Sequence, residues 1–205
     1  MAYSVGVLAS GNGTNLQALI DGFHLPGHGR IVVVASDNPR AHALERARQA
    51  NIPCVALLPE AGEKRVAYHK RLAGALREYN IDLLVLAGYM RLLPGEFLQH
   101  FPRVINVHPA LLPAFPGLDA PAQALAYGVK VTGCTVHLVD EGVDSGPVLL
   151  QKSLEILQGE TPDQLHQRLK PLEHQLLVRA VQAFARGRVK IKGRQTWIKD
   201  DENES

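Results

Sequence analysis

The chain of 205 residues is long enough for one α/β domain with a full core, and its 46% hydrophobic and 20% charged residues exclude a disordered or fibrous protein. The 22 basic residues nearly balance the 20 acidic ones, which excludes a broad cationic surface for nucleic acid. A small anionic ligand would need only a local site, so small molecules are the expected partners.

The first half of the chain alternates short apolar runs with helical stretches. Continuous runs rich in Val, Ile and Leu are typical of strands that are covered on both faces. The predicted strands are residues 3–9, 31–35, 55–58 and 83–87, and the predicted helices are residues 15–21, 41–50 and 63–79. This β-α-β-α order predicts an α/β fold with a doubly wound, mostly parallel sheet and helices on both faces.

The second half of the chain predicts an antiparallel addition to that sheet. Two longer strand patterns, residues 131–140 and 147–156, flank the connection EGVDSG, so we expect a mixed sheet rather than a purely parallel one. The sequence has no internal repeat, no low-complexity linker and no sign of a second-domain boundary. We therefore predict one domain over residues 1–198.

The C-terminal region predicts a long helix and a polar tail. Thr161 followed by Pro162 is typical of a helix N-terminus, and the helix should run toward Arg186 with a kink at Pro171. Residues 199–205 are acidic and polar, which predicts a disordered tail.

The cysteines and the N-terminus favour a cytoplasmic protein. Cys54 and Cys134 each lie in an apolar segment that predicts a strand, so we expect buried thiols rather than a disulfide or a metal pair. The N-terminus MAYSVGVLAS lacks the features of a secretory signal, and no apolar run is long enough to span a bilayer. We therefore expect a cytoplasmic location and no membrane partner.

A glycine-rich turn, SGNGTNL, follows the first predicted strand. Gly11 and Gly13 permit a tight turn and the close approach of backbone N–H groups to an anion, such as a phosphate, at a helix N-terminus. The alternative is a plain turn in which Thr14 or Asn15 caps the helix. Leu16 occupies the third glycine place of a dinucleotide fingerprint and no P-loop lysine follows, so we expect no nucleotide cofactor.

Three polar residues should meet at the carboxyl edge of the sheet. Asn106 and His108 alternate with apolar residues of the strand in VINVHPALLPAFPG, and Asp144 lies in the connection DEGVDSGP. A carboxylate favours the charged form of a neighbouring imidazole, and an imidazolium with a carboxamide suits an oxyanion on a tetrahedral carbon.

The motifs of covalent and metal-assisted catalysis are missing. The sequence contains no G-x-S-x-G, H-E-x-x-H or C-x-x-C pattern, so we expect no metal and no covalent intermediate. The remaining chemistry is direct transfer of an acyl-type group between two bound substrates.

Six segments together resemble one enzyme family. SGNGTNLQAL, LERARQANI, LAGYMRLL, INVHPALLPAFPG, TVHLVDEGVDSGPVLLQ and LEHQLL occur in this order across nearly all of the chain. They resemble the phosphoribosylglycinamide formyltransferases, folate-dependent enzymes of purine biosynthesis. The resemblance implies a Rossmann-like formyltransferase fold and 10-formyltetrahydrofolate as co-substrate. We expect a monomer or homodimer, and the sequence leaves the choice between the two open.

The resemblance also implies roles for individual residues. Asn106 and protonated His108 would stabilise the oxyanion, and Asp144 would hold His108 charged. The residues implied to bind phosphoribosylglycinamide are Gly13, Thr14, Asn15 and Glu173. The residues implied to bind folate are Arg65, Met90, Arg91, Leu92, Leu93 and Asn106, and a cation such as Arg65 suits the carboxylates of the folate tail.

Several of these residues have a plainer interpretation. Arg65 could be a solvated charge, Met90 and Leu92 could belong to the core, and Glu173 could be an exposed helix carboxylate. His137 alternates with apolar neighbours in its strand, so it could either line the site or serve as a hydrogen-bonded structural residue.

The chain departs from the family pattern in one loop. The family commonly has a histidine near Asp119 and a basic residue at Ala114. Asp119 also predicts the cap of a helix through Gln123 and Ala126. We expect Asp119 to lie in solvent, because a second carboxylate near one imidazole would repel Asp144.

Three other functions compete with this interpretation. Formyltetrahydrofolate hydrolases share the trio but carry an extra N-terminal domain, whereas the first strand here is predicted to start at residue 3. Length and a net charge of +2 disfavour a formyltransferase that acts on tRNA. A nucleotide sensor that binds through SGNGTN would not need Asn106, His108 and Asp144 together.

Overall fold

The computed structural model describes residues 2–25, 27, 29–101 and 103–199. All but the first residue of the predicted tail, residues 199–205, therefore lies outside the described residues. The chain divides into two compact units, Met1–Ile105 and Asn106–Ser205. The single domain predicted over residues 1–198 stays a prediction.

Seven of nine described strands form one mixed sheet. The strands are β1 (Ser4–Leu8), β2 (Arg30–Ser36), β3 (Cys54–Ala56), β4 (Leu83–Leu86), β5 (Val104–His108), β6 (Val131–Leu138), β7 (Val148–Glu155), β8 (Val189–Lys192) and β9 (Gln195–Ile198). The order in the large sheet is β3-β2-β1-β4-β5-β6-β7, while β8 and β9 form a separate pair. Strand β2 pairs in parallel with β1 and β3, β4 pairs in parallel with β1, and β6 pairs antiparallel with β7. The predicted α/β fold with a mostly parallel, mixed sheet is confirmed.

The six described α-helices include the five predicted from the sequence and one, the fourth along the chain, that was not predicted. They are α1 (Thr14–Gly22), α2 (His42–Gln49), α3 (Arg65–Leu76), α4 (Gly95–Leu98), α5 (Ala120–Tyr127) and α6 (Pro162–Ala185), with a 3₁₀ turn at Arg77–Tyr79 after α3. The helix predicted over residues 63–79 therefore begins two residues later and changes to the tighter 3₁₀ form at its end. No helix among the described residues is long and apolar enough to cross a membrane.

In the first unit, the parallel strands bring two loops to one edge of the sheet. Strands β1 and β4 are fully or largely buried, which explains why their sequences are continuous apolar runs. The loop after β1 and the loop after β4 are joined by a hydrogen bond of 3.1 Å from the Ser10 N–H to the Gly88 carbonyl oxygen. The glycine-rich turn and the segment that begins at Met90 therefore lie at the same edge.

In the second unit, β6 and β7 form a hairpin and α6 packs against both strands. Helix α6 begins with the predicted cap: the Gln164 N–H donates to Thr161 Oγ1 at 3.3 Å, and the Thr161 N–H donates to Gln164 Oε1 at 2.9 Å. Pro171 lies inside α6, which continues through it as one helix.

Asp119 is the N-cap residue of the helix predicted to follow it, α5, but its side chain makes no capping hydrogen bond to any described residue. Its backbone is left-handed with a φ of 54°. A capping side chain needs an extended backbone at this position, so the left-handed turn directs the carboxylate elsewhere.

Candidate active site

The end of β5 carries the amide and the imidazole predicted to act together. Asn106 and His108 are two residues apart, so their side chains leave the same face of the strand. His108 is 4% exposed, its Nδ1 atom lies 3.3 Å from Asp144 Oδ2, and its Nε2 atom lies 2.8 Å from the Phe115 carbonyl oxygen. Because both neighbours are acceptors, the doubly protonated ring is the form that can donate to both.

Four polar groups of the second unit surround the Asp144 carboxylate, and one of them is His108. Its Oδ2 atom accepts the Gly117 N–H at 2.8 Å, and its Oδ1 atom accepts the Asn106 amide at 3.3 Å and lies 3.5 Å from His137 Nε2. Burial by itself would raise the pKa of the Asp144 carboxyl. The hydrogen bonds from His137 and Gly117 and the charges of both histidines outweigh burial and hold the pKa below its ordinary value. Asp144 is therefore a carboxylate at neutral pH.

The connection between β6 and β7 fixes Asp144 through its own contacts. Asp144 has a φ of 49°, in the left-handed region that residues other than glycine seldom adopt. The Ser145 hydroxyl donates to Asp140 Oδ1 at 2.6 Å and closes the connection on itself. A Cβ atom at Gly146 would lie 1.8 Å from the Leu138 carbonyl oxygen, so this position requires glycine. The DEGVDSGP connection thus has an internal framework.

His137 belongs to the same cluster. The sequence leaves open whether this residue lines the site or has a structural role. Its Nδ1 atom lies 2.8 Å from the Leu138 carbonyl oxygen, and its Nε2 atom lies 3.3 Å from Asn106 Nδ2. His137 is buried in a strand that is covered on both faces, so alternation with apolar neighbours could not decide its direction. The available signal was its place near the end of β6, just before the connection that carries Asp144.

The conformation and the packing of the glycine-rich turn in the first unit both require glycine at position 13. Helix α1 begins at Thr14, with Gly13 as a left-handed N-cap residue at a φ of 77°. The helix has no side-chain cap among the described residues, so the alternative in which Thr14 or Asn15 caps it is wrong; both lie inside the helix. A Cβ atom at Gly13 would lie 2.7 Å from the Cα and Cβ atoms of Ala43 in α2. Glycine is therefore required by conformation and by packing.

The other candidate binding residues differ in exposure. Met90 is 66% exposed and Leu92 is 48% exposed, so the interpretation of these two as core residues is wrong, whereas Leu93 is buried. Arg65 is exposed at the first residue of α3. Glu173 in α6 is only 5% exposed, so the interpretation as an ordinary surface carboxylate is also wrong.

Arg91 is held by other residues of the first unit. Its Nε atom donates to Asp37 Oδ2 at 2.6 Å, and its guanidinium lies 5.5 Å from the centre of the Tyr68 ring. The preceding Met90 N–H donates to Ser10 Oγ at 3.2 Å. These contacts fix the backbone of the segment, and they use part of the hydrogen-bonding capacity of Arg91.

The structure also describes both cysteines and the grouping of residues that could bind a metal. Cys54 and Cys134 are both free, and burial raises the pKa of the Cys134 thiol. Within the part of the chain that the structure describes, no group of three or more His, Cys, Asp or Glu residues is arranged to hold a metal ion.

Comparisons with known proteins agree with this geometry. The family model described as formyl transferase matches residues 4–181. The phosphoribosylglycinamide formyltransferase of Bacillus subtilis is 42% identical over 82% of this chain and 87% of its own length. The crystal structure of glycinamide ribonucleotide transformylase 1 from Symbiobacterium toebii has a TM-score of 0.92 and 48% identity, covering 97% of this chain and 95% of that one.

A longer relative matches over one part of its length. The human trifunctional purine biosynthetic protein adenosine-3 is 40% identical over 96% of this chain, which spans 20% of the human protein.

The chain belongs to the formyl transferase family and, within it, to the phosphoribosylglycinamide formyltransferases. The resemblance inferred from the sequence motifs is confirmed.

Proposed function

We propose that this chain transfers the formyl group of 10-formyltetrahydrofolate to the amine of phosphoribosylglycinamide, in purine biosynthesis. The observation that carries the proposal is the meeting of Asn106 and His108 at the ionised carboxylate of Asp144. Relatives named phosphoribosylglycinamide formyltransferase, which match over most of both chains, support the same activity.

The reaction requires charge stabilisation and one proton transfer. The glycinamide nitrogen attacks the formyl carbon, a new C–N bond forms, and the carbonyl oxygen becomes an oxyanion. The bond from carbon to N10 of the folate then breaks, the attacking amine loses a proton, and N10 gains one. Protonated His108 would stabilise the oxyanion and give its proton to N10, and the proton lost by the amine would pass to the neutral imidazole and restore its charged form. The Asn106 amide would add a second donor to the oxyanion.

Asn106 and His108 could change hydrogen-bond partners when a substrate binds, while His108 keeps its contact with Asp144. Both Asn106 contacts are 3.3 Å long, beyond the usual length of an N–H hydrogen bond. Catalytic hydrogen bonds often tighten only when the substrate is bound. His108 would exchange the Phe115 carbonyl for the substrate at Nε2, while Asp144 continues to hold Nδ1.

The remaining candidates would bind the two substrates. The turn Gly13–Asn15 would hold the phosphate of phosphoribosylglycinamide, and Glu173 would contact the same substrate. Arg65, the segment Met90–Leu93 and Asn106 would bind the folate. Within that segment the exposed Met90 and Leu92 would supply apolar contacts. The cytoplasmic location, the monomer or homodimer and the lack of a metal or nucleotide cofactor stay predictions.

The test is a comparison of acceptors for the formyl group. Purified protein and 10-formyltetrahydrofolate are mixed with phosphoribosylglycinamide, with methionyl-tRNA, or with no acceptor, and tetrahydrofolate release is followed. We expect tetrahydrofolate to be released in the mixture with phosphoribosylglycinamide and not in the other two mixtures. Equal release without an acceptor would identify a hydrolase, release with the tRNA would identify a different transferase, and no release would favour a binding protein.

A further inference from the structure

Arg46 makes three hydrogen bonds, two to Asn12 of the glycine-rich turn and one to Gln17 of helix α1. This residue lies in α2, and its Nε atom donates to the Asn12 carbonyl oxygen at 2.9 Å. Its Nη2 atom donates to Asn12 Oδ1 at 3.0 Å, and its Nη1 atom donates to Gln17 Oε1 at 3.1 Å. One planar side chain thus joins the residue before the left-handed Gly13 to the first turns of α1.

Helix α2 also holds the preceding carbonyl of the turn. The Ala43 N–H donates to the Gly11 carbonyl oxygen at 3.1 Å. In a trans peptide the C=O and N–H groups point in opposite directions. Since α2 binds the carbonyls of Gly11 and Asn12, the N–H groups of Asn12 and Gly13 point away from it. Neither N–H donates a hydrogen bond within the described part of the chain.

We propose that Arg46 is the positioning residue of the phosphate-binding turn. By fixing Asn12 from behind, it aims the N–H groups of Asn12 and Gly13 at the phosphate of the phosphoribosyl substrate. Two successive N–H groups that point the same way form an anion-binding concavity. The inference rests on the proposed function, which places the phosphate at this turn.

The geometry of the guanidinium, rather than its charge, is what the turn uses. Arginine presents its donors in a rigid planar fork, whereas lysine has one compact ammonium group on a flexible stem. Arg46→Lys therefore keeps the charge and loses the three-point contact. Arg48→Gln is the matched control, because Arg48 lies in the same helix and contacts only Glu45, at 3.5 Å, among the ion pairs of the described residues.

Steady-state kinetics with both substrates test the proposal. For Arg46→Lys we expect KM for phosphoribosylglycinamide to rise about tenfold, the effect of one lost charge-assisted interaction, with kcat within about threefold. KM for the folate should not change, and Arg48→Gln should match the wild type. Gln17→Ala, which removes one of the three contacts, should raise the same KM less and serves if Arg46→Lys does not fold.

Two further measurements separate positioning from general damage. Ribosylglycinamide, which lacks the phosphate, should show no difference between wild type and Arg46→Lys. Calorimetric titration with ribose 5-phosphate should show weaker binding to Arg46→Lys than to the wild type. This result is expected even if the wild type transfers no formyl group, an outcome that would overturn the proposed function but not the role of Arg46. The role of Arg46 would be overturned if Arg46→Lys had the same KM for phosphoribosylglycinamide as the wild type. It would also be overturned if the KM values for phosphoribosylglycinamide and the folate rose equally.

Discussion

Asp144 contacts the His108 ring and also accepts a hydrogen bond from the Gly117 backbone, so its replacement should lower both turnover and stability. The Asp144→Asn substitution keeps the size of the side chain and removes its charge. The carboxylate accepts the Gly117 N–H at 2.8 Å, and its pKa is lowered, so the folded state favours the ionised form. The asparagine oxygen can still accept the Gly117 N–H, so the substitution removes only the contribution of the charge. A hydrogen bond to a charged group contributes about 1.5–3 kcal/mol and one to a neutral group about 1 kcal/mol, so we expect the free energy of unfolding to fall by about 1 kcal/mol.

The effect on turnover should depend on His108, whereas the effect on stability should not. Positioned acid–base groups contribute about 10²–10⁴ in rate, so His108→Ala alone should be slower by that factor. If Asp144 acts on the chemistry through His108, adding Asp144→Asn should slow the His108→Ala variant less than about threefold. The loss of stability should persist in the double variant, because the Gly117 contact does not involve His108.

A double-mutant cycle with two readouts tests this division. Turnover is followed as tetrahydrofolate release, and stability is measured by urea unfolding. Glu141→Gln, an exposed carboxylate in the same connection, is the control and should change neither quantity. Multiplicative losses in turnover would show that Asp144 has a separate role in the chemistry. Unchanged stability would show that the charge of Asp144 does not strengthen the Gly117 contact.

Four further predictions concern single residues. Asn106→Ala should fold and lower turnover about 10²–10³-fold, as for other oxyanion donors, and near-normal turnover would remove Asn106 from the mechanism. Gly13→Ala should lower the free energy of unfolding by about 1–3 kcal/mol, because its Cβ atom would lie 2.7 Å from Ala43; an unchanged urea midpoint would show that the turn relaxes. Burial lowers the pKa of His69 from 6.5, so the free energy of unfolding should fall as the pH drops below 6.5 toward the pKa of His69 in the folded protein, by at most about 1.4 kcal/mol per pH unit. Urea unfolding at several pH values should show a smaller fall for His69→Gln over that range. Asp119→Asn should keep turnover within about tenfold, or roughly 1.4 kcal/mol, since the residue is exposed; a loss as large as that of Asp144→Asn would indicate a second catalytic carboxylate.

The sequence predicted the parts of the fold that rest on local patterns. Continuous apolar runs identified the buried strands, and the Thr161 cap followed from residue types at fixed spacing. The hairpin of β8 and β9 was not predicted, although VKIK alternates apolar and polar residues and is followed by Gly193, which has a φ of 59°. Helix α4 has four residues, too few for a periodic signal.

The candidate site was predictable where strand geometry decides it. Asn106 and His108 share a face because they are two residues apart. The contacts of Phe115 and Gly117 with the cluster depend on the path of an irregular loop, which no periodicity encodes. His137 lies in a strand that is buried on both faces, so the pattern could not show which way its side chain points.

The most direct test of the account follows the formyl carbon itself. Wild type and His108→Ala, with matching circular dichroism, are mixed with ¹³C-formyl-labelled 10-formyltetrahydrofolate and phosphoribosylglycinamide, and products are quantified by mass spectrometry. We predict one labelled formyl phosphoribosylglycinamide for each tetrahydrofolate formed, with His108→Ala slower by at least about 10²-fold. Label recovered as free formate, or a His108→Ala variant as fast as the wild type, would contradict the account.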